Sequence, residues 1–131
     1  MIKASLLYLV AALLTGVMLA EPVLSRLPWM AALYPAYIHL FVFGWLTQLI
    51  FGVAYWLFPR ASRDRPYGRG ALAFAGFIML NAGLLARVIS EPAAVWQGTG
   101  GWGVVLTASA VLQWLAGVMF VVYFWERVKR K

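Results

Sequence analysis

Four long apolar runs dominate the chain, separated by short polar or proline-containing breaks. The first covers about Ile2 to Ala20 and stops at Glu21-Pro22; the second covers about Met30 to Phe58 and stops at Pro59-Arg60. The third covers about Gly70 to Ser90, closed by Glu91-Pro92, and the fourth about Trp102 to Trp125, ended by Glu126-Arg127. Proline cannot continue a helix and charges belong in the headgroup region, so each break has a physical reason to sit where it does. A transmembrane helix takes about 20 apolar residues, which each run supplies. The pattern predicts an all-α integral membrane four-helix bundle, one domain over residues 1–131, with helices at about 2–20, 30–58, 70–90 and 102–125. The second run, at nearly thirty residues, exceeds the hydrocarbon thickness and is expected to tilt or project beyond it. Pro35 lies near its start, where a missing N–H costs least.

Composition excludes the soluble alternative. Hydrophobic residues make up 64%, charged residues 11%, and the mean hydropathy is +0.83. A soluble domain carries about 45–50% apolar and about 25% charged residues, so this chain could not cover a water-facing surface. Lys3 ahead of an apolar stretch gives the first run the outline of a signal peptide; it is expected to remain as a membrane span.

The net charge of +7 suggests a nucleic-acid binder only until the charges are located. Lys3, Arg60, Arg63, Arg65, Arg69, Arg127, Lys129, Arg130 and Lys131, nine of the eleven basic residues, fall on one side of the expected bundle. By the positive-inside rule that side is cytoplasmic, with both termini there, in a multi-pass protein of the cell membrane. The basic residues then read as topology signals with some attraction to anionic lipid, and no nucleic acid is expected. Trp29, Tyr34, Tyr37, Trp96 and Trp102 at the outer boundary, and Tyr55, Trp56, Tyr123 and Trp125 at the inner one, form interfacial belts. Trp45 and Trp114 fall near mid-membrane, where an indole N–H needs a partner.

Candidate chemistry is sparse. With no Cys there is no disulfide or thiolate metal site, and one His in the chain cannot build a multi-histidine centre alone. The serines have no matching base in a recognisable motif, so hydrolase chemistry is not expected. His39 is the one intramembrane residue with ligand chemistry. At about 100° per residue, Phe43, Leu46, Ile50 and Val53 share its face, while Gly44, Gln48, Gly52 and Tyr55 take the opposite one. The glycine side reads as close helix packing, with Gln48 bonding to a neighbour. His39 itself has three readings: interhelical glue, a metal or heme ligand, or a proton relay. Asn81 reads as an interhelical hydrogen bond, with Gln48 a candidate partner. Arg87 could snorkel to the headgroups or pair with a heme propionate, and Glu91 lies one turn on, within reach of it.

The string His39-Leu-Phe-Val-Phe-Gly44-Trp45-Leu-Thr-Gln48-Leu-Ile-Phe-Gly52-Val-Ala-Tyr55-Trp56-Leu-Phe-Pro59-Arg60 resembles the second transmembrane helix of heme-copper oxidase subunit I. The likeness is to the cbb-type cytochrome c oxidase and nitric-oxide reductase branch. It covers about 22 residues strongly, and more loosely extends to Leu80-Asn81-Ala82-Gly83. The resemblance implies heme b, with His39 as axial ligand, Phe43 and Leu46 against the ring and Arg87 near its propionates. Subunit I has about twelve helices and several more histidines; four helices and one histidine look like one of its three arcs. The resemblance therefore implies electron transfer or binding of oxygen or nitric oxide rather than a complete oxidase or reductase. It also implies a homo-oligomer, a trimer ahead of a dimer, in which symmetry-related His39 side chains could sandwich a heme or hold copper or zinc. A respiratory-chain partner fits the same picture. The rival expectation is a cofactor-free accessory protein of a respiratory complex, with His39, Gln48 and Asn81 all serving as glue.

Overall fold

The computed structural model describes residues 1–22, 26–27, 30, 32–58 and 70–128, the side chain of Glu126 excepted. Trp29, the Pro59-Arg60 exit, and the basic residues Arg63, Arg65, Arg69, Lys129, Arg130 and Lys131 lie outside the described residues. Within the described residues the protein is all-helical, without strands. Four helices are long and apolar enough to cross a membrane: α1 (Ile2–Ala20), α2 (Leu33–Leu57), α3 (Gly70–Gln97) and α4 (Gly100–Val128).

The second helix is not uniform. It runs as α-helix over Leu33–His39, as π-helix over Leu40–Thr47 and as α-helix again over Gln48–Leu57. Bonds in a π-helix close one residue later than in an α-helix, so each residue advances by less than the α-helical angle. The Thr47 hydroxyl follows that register, donating to the Val42 carbonyl five residues back at 2.8 Å. Pro35 sits in the first turn, as the sequence suggests. Phe58 is extended (ψ 144°) and ends the helix ahead of Pro59, because the residue before a proline is pushed out of the helical region.

Small residues set the helix approaches. A Cβ on Gly44 would lie 2.8–2.9 Å from the Cγ and Cβ of Tyr8, and one on Gly52 would lie 2.7 Å from Ile2. On the other side of the same seam, Gly16 accommodates the Tyr37 ring. Helices α1 and α2 are thus antiparallel and nearly in backbone contact. The α3–α4 seam is built the same way: a Cβ on Gly83 would meet Gln113 and the Ser109 carbonyl at 2.9–3.0 Å. These two helices form a hairpin across Gly98, whose φ of +84° is a left-handed turn that glycine adopts without strain. Trp102 closes the turn by donating Nε1–H to Gln97 Oε1 at 3.0 Å.

The core lies between α3 and α4, where Ala73, Leu80 and Leu84 pack on Ala116, Phe120, Tyr123 and Phe124. Met1, Tyr8, Phe51, Tyr55 and Phe58 from the first two helices pack against it. Phe51 stacks on Phe120 at 4.3 Å and Tyr55 on Tyr123 at 5.7 Å, tying α2 to α4. Met1, the end of α2, the start of α3 and the end of α4 therefore share one end of the bundle.

Two helices run past their expected C-terminal ends. Helix α3 does not stop at Ser90; it continues through Glu91-Pro92 to Gln97. A proline inside a helix costs about 3 kcal/mol, but Ser90, Glu91 and Ala94 are all buried, and that packing carries the helix past it. Helix α4 begins at Gly100 and runs to Val128, through the charges expected to end it. Arg127 is not a solvated tail residue: it is 5% exposed and bonded inside the bundle.

Candidate functional site

Past the Phe51–Phe120 contact, α2 and α4 leave a groove of about 610 Å³ between them. Helix α2 contributes His39 and Phe43, α3 contributes Arg87, and α4 contributes Ala110, Gln113, Trp114 and Gly117, then Val118, Val121 and Val122. The size lies within the range of about 300–1,000 Å³ usual for small-molecule sites. Three of the four residues singled out from the sequence are brought together here. Leu46 is not among the residues lining the groove; it is exposed on the outer surface of α2. The expectation that it shares the face of His39 assumed an unbroken α-helix, and the π-helical segment between them turns it away.

His39 is the last residue of the first α-helical segment of α2. Its Nδ1 lies 2.9 Å from the Pro35 carbonyl oxygen, one turn back. A carbonyl can only accept, so Nδ1 is the donor, and in the neutral ring Nε2 is then the nitrogen with the lone pair. Metal-bound histidines are commonly oriented by this kind of bond through the other ring nitrogen. The ring stacks on Phe43 at 5.5 Å and 17°, which fixes its plane. Among the described residues His39 makes no hydrogen bond to another helix.

Arg87 is anchored from behind. Its Nε donates to Glu91 Oε1 at 2.8 Å, an i,i+4 pair within α3, with Glu91 8% exposed. The terminal amino groups of the guanidinium make no bond among the described residues. Glu91 Oε2 is buried and has no hydrogen-bond partner among the described residues. The pair thus holds the arginine in place while leaving its donors free at the groove.

The remaining polar residues form two cross-helix seams. Gln48 and Asn81 exchange amide bonds at 3.4 and 3.5 Å, and Tyr8 donates to Asn81 Oδ1 at 2.8 Å. Asn81 Nδ2 also donates to its own helix at the Phe77 carbonyl, 2.7 Å away. On the other seam Ser109 donates to the Gly83 carbonyl at 3.0 Å and accepts from Gln113 Nε2 at 3.2 Å. Sequence reasoning found Gln48 and Asn81 but missed Tyr8, Gln113 and Arg127. The spacing of Arg127 four residues after Tyr123 was the signal available for the last.

Among the described residues no three His, Cys, Asp or Glu side chains gather to hold a metal ion. One chain offers a single ligating nitrogen, His39, beside an apolar groove with an arginine at its margin. No family model, curated protein or solved structure matches this chain.

Proposed function

We propose that the groove binds heme b with His39 as axial ligand, making the protein a multi-pass membrane hemoprotein. It would act in electron transfer or in gas binding rather than as a complete oxidase. The observation that carries this reading is the state of His39. Its Nδ1–H is committed to its own helix, and Nε2 is left on a residue lining the groove that Phe43 and Arg87 also line.

The residues suit the group. Neutral imidazole is a common axial ligand of heme iron, and the Pro35 carbonyl both selects its tautomer and raises its basicity. Phe43 and the valines of α4 give the apolar wall a porphyrin face requires. The free amino groups of Arg87 are donors of the geometry that carboxylates accept, which suits propionates. Bound there, heme supplies one-electron transfer and gas binding at its iron. Lys3 and Arg127 lie at the Met1 end of the bundle, and the other basic residues of that set follow α2 or α4 in the sequence, which favours a cytoplasmic placement of both termini in the cell membrane. A homotrimer or homodimer, and a respiratory-chain partner, belong to the same proposal and rest on the resemblance of α2 to oxidase subunit I.

The test is an absorption spectrum of protein purified in mild detergent, compared with His39→Ala. A Soret band in the parent that disappears in the variant, with helicity retained, is the expected result. Heme retained at full stoichiometry in His39→Ala, or no Soret band in the parent after growth with heme precursor, overturns the proposal.

A further inference from the structure

The groove differs on its two sides in a way that bears on how many ligands it offers. Across from His39 and Phe43, α4 presents Ala110, Gln113, Trp114 and Gly117. None of these is a neutral nitrogen or sulfur donor of the kind heme iron takes. Space is also kept open there, since a Cβ on Gly117 would meet nothing within 4 Å. Gln113 is the one buried polar side chain on that wall, at 7% exposed.

The orientation of Gln113 is fixed by its neighbour. Ser109 spends its hydroxyl proton on the Gly83 carbonyl, so it can only accept from the amide, and Nε2 must face it. The second N–H of Gln113 and its Oε1 make no bond among the described residues. An amide with unused hydrogen-bonding capacity, lining an apolar groove, can take a polar partner from a ligand.

Resting on the heme reading, we propose that one chain supplies a single axial nitrogen, His39, and that heme held in this groove would bind a diatomic gas. Gln113 is the polar group on the α4 wall that such a gas would meet, and Gly117 would leave space for it. Bis-histidine ligation, by contrast, would need a second copy of the chain, since each chain has one His.

Reduced, heme-loaded protein in mild detergent, titrated with carbon monoxide, tests this. The expected result is a broad visible band in the reduced protein and a Soret band that shifts on adding carbon monoxide. In Gln113→Leu the infrared C–O stretch is expected to move, and in Gly117→Leu carbon monoxide association, measured per heme bound, is expected to slow. A Cβ added at Gly117 meets nothing within 4 Å among the described residues, so the Gly117 variant remains informative if Gln113→Leu fails to fold. Sharp reduced α and β bands that ignore carbon monoxide would overturn this inference while leaving the heme reading intact. Loss of the Soret band altogether would overturn both. A C–O stretch unmoved in a folded Gln113→Leu would remove Gln113 from the site.

Discussion

Replacing Arg127 with methionine isolates what the clasp at the Met1 end of the bundle contributes. Its Nη1 donates to the Tyr55 carbonyl at 3.1 Å and the Tyr123 hydroxyl at 2.9 Å, and its Nη2 to the Phe58 carbonyl at 2.9 Å. The guanidinium also lies 5.8 and 5.3 Å from the Tyr55 and Tyr123 ring centroids. The two carbonyls belong to the end of α2, where no further turn exists to bond them and a cation is favoured. Hydrogen bonds to a charged group are worth about 1.5–3 kcal/mol each, so three give roughly 4.5–9 kcal/mol before compensation. Water reaching the freed carbonyls, and the methionine stem keeping the aliphatic packing, offset about half of that. Arg127→Met should therefore cost about 3 kcal/mol, a loss of roughly a hundredfold in the folded-to-unfolded ratio. Arg127→Lys keeps the charge but not the planar fork that reaches two helices at once, and should recover about a third of the loss.

The assay is unfolding in mild detergent with increasing dodecyl sulfate, followed by far-UV circular dichroism and by fluorescence of the seven tryptophans. A methionine variant within about 0.5 kcal/mol of the parent would place it among ordinary surface substitutions and refute the clasp. A lysine variant equal to arginine would show that charge alone matters there.

The same assay separates the seams. Gly44→Ala places a Cβ within 2.8–2.9 Å of the Tyr8 stem, which cannot swing aside without moving α1, and should cost about 1–3 kcal/mol; Gly117→Ala meets open space and should be neutral for folding. Asn81→Leu strands the Tyr8 hydroxyl and the Gln48 amide. It should cost about 1.5 kcal/mol, near the upper end for intramembrane hydrogen bonds; Gln48→Leu, whose bonds are 3.4 and 3.5 Å long, should cost less than half as much.

Hydropathy located all four helices because burial in hydrocarbon needs only length and apolarity, both of which are written along the chain. The helix ends were less legible. Pro92 and Arg127 both carry local stop signals, and both are overruled by contacts with residues distant in sequence: Ala94 is buried in the bundle and Arg127 binds α2. The cross-helix pair Gln48–Asn81 could be read from two lone amides in apolar runs. Tyr8 could not, because a tyrosine seven residues into a helix looks like a belt residue until its hydroxyl is seen on Asn81. The groove was legible on α2 and α3, where His39 and Arg87 are chemically distinctive, and illegible on α4. What matters there is the absence of bulk at Ala110 and Gly117, and small residues in a membrane helix have many uses.

The π-helical segment explains why the site and the seam can share one helix. Helix α2 has three neighbours: Tyr8 of α1 against Gly44, Asn81 of α3 against Gln48, and the groove and Phe120 of α4 against His39, Phe43 and Phe51. On an unbroken α-helix, nine residues from His39 to Gln48 put the two on opposite faces at about 100° per residue. A helix wedged between α1, α3 and α4 has no use for an opposite face at that height. The segment Leu40–Thr47 begins directly after His39 and ends directly before Gln48. It therefore sets the angle between His39 and the seam without disturbing the α-helical geometry that holds either one. His39 keeps its bond to Pro35 and Gln48 keeps its bonds to Asn81 because the irregular hydrogen bonding is confined between them. Extended π-helix is rare, and even single π-turns are frequent at functional sites. Here its position, between the one candidate ligand and the polar seam that fixes the helix, gives a physical reason for it.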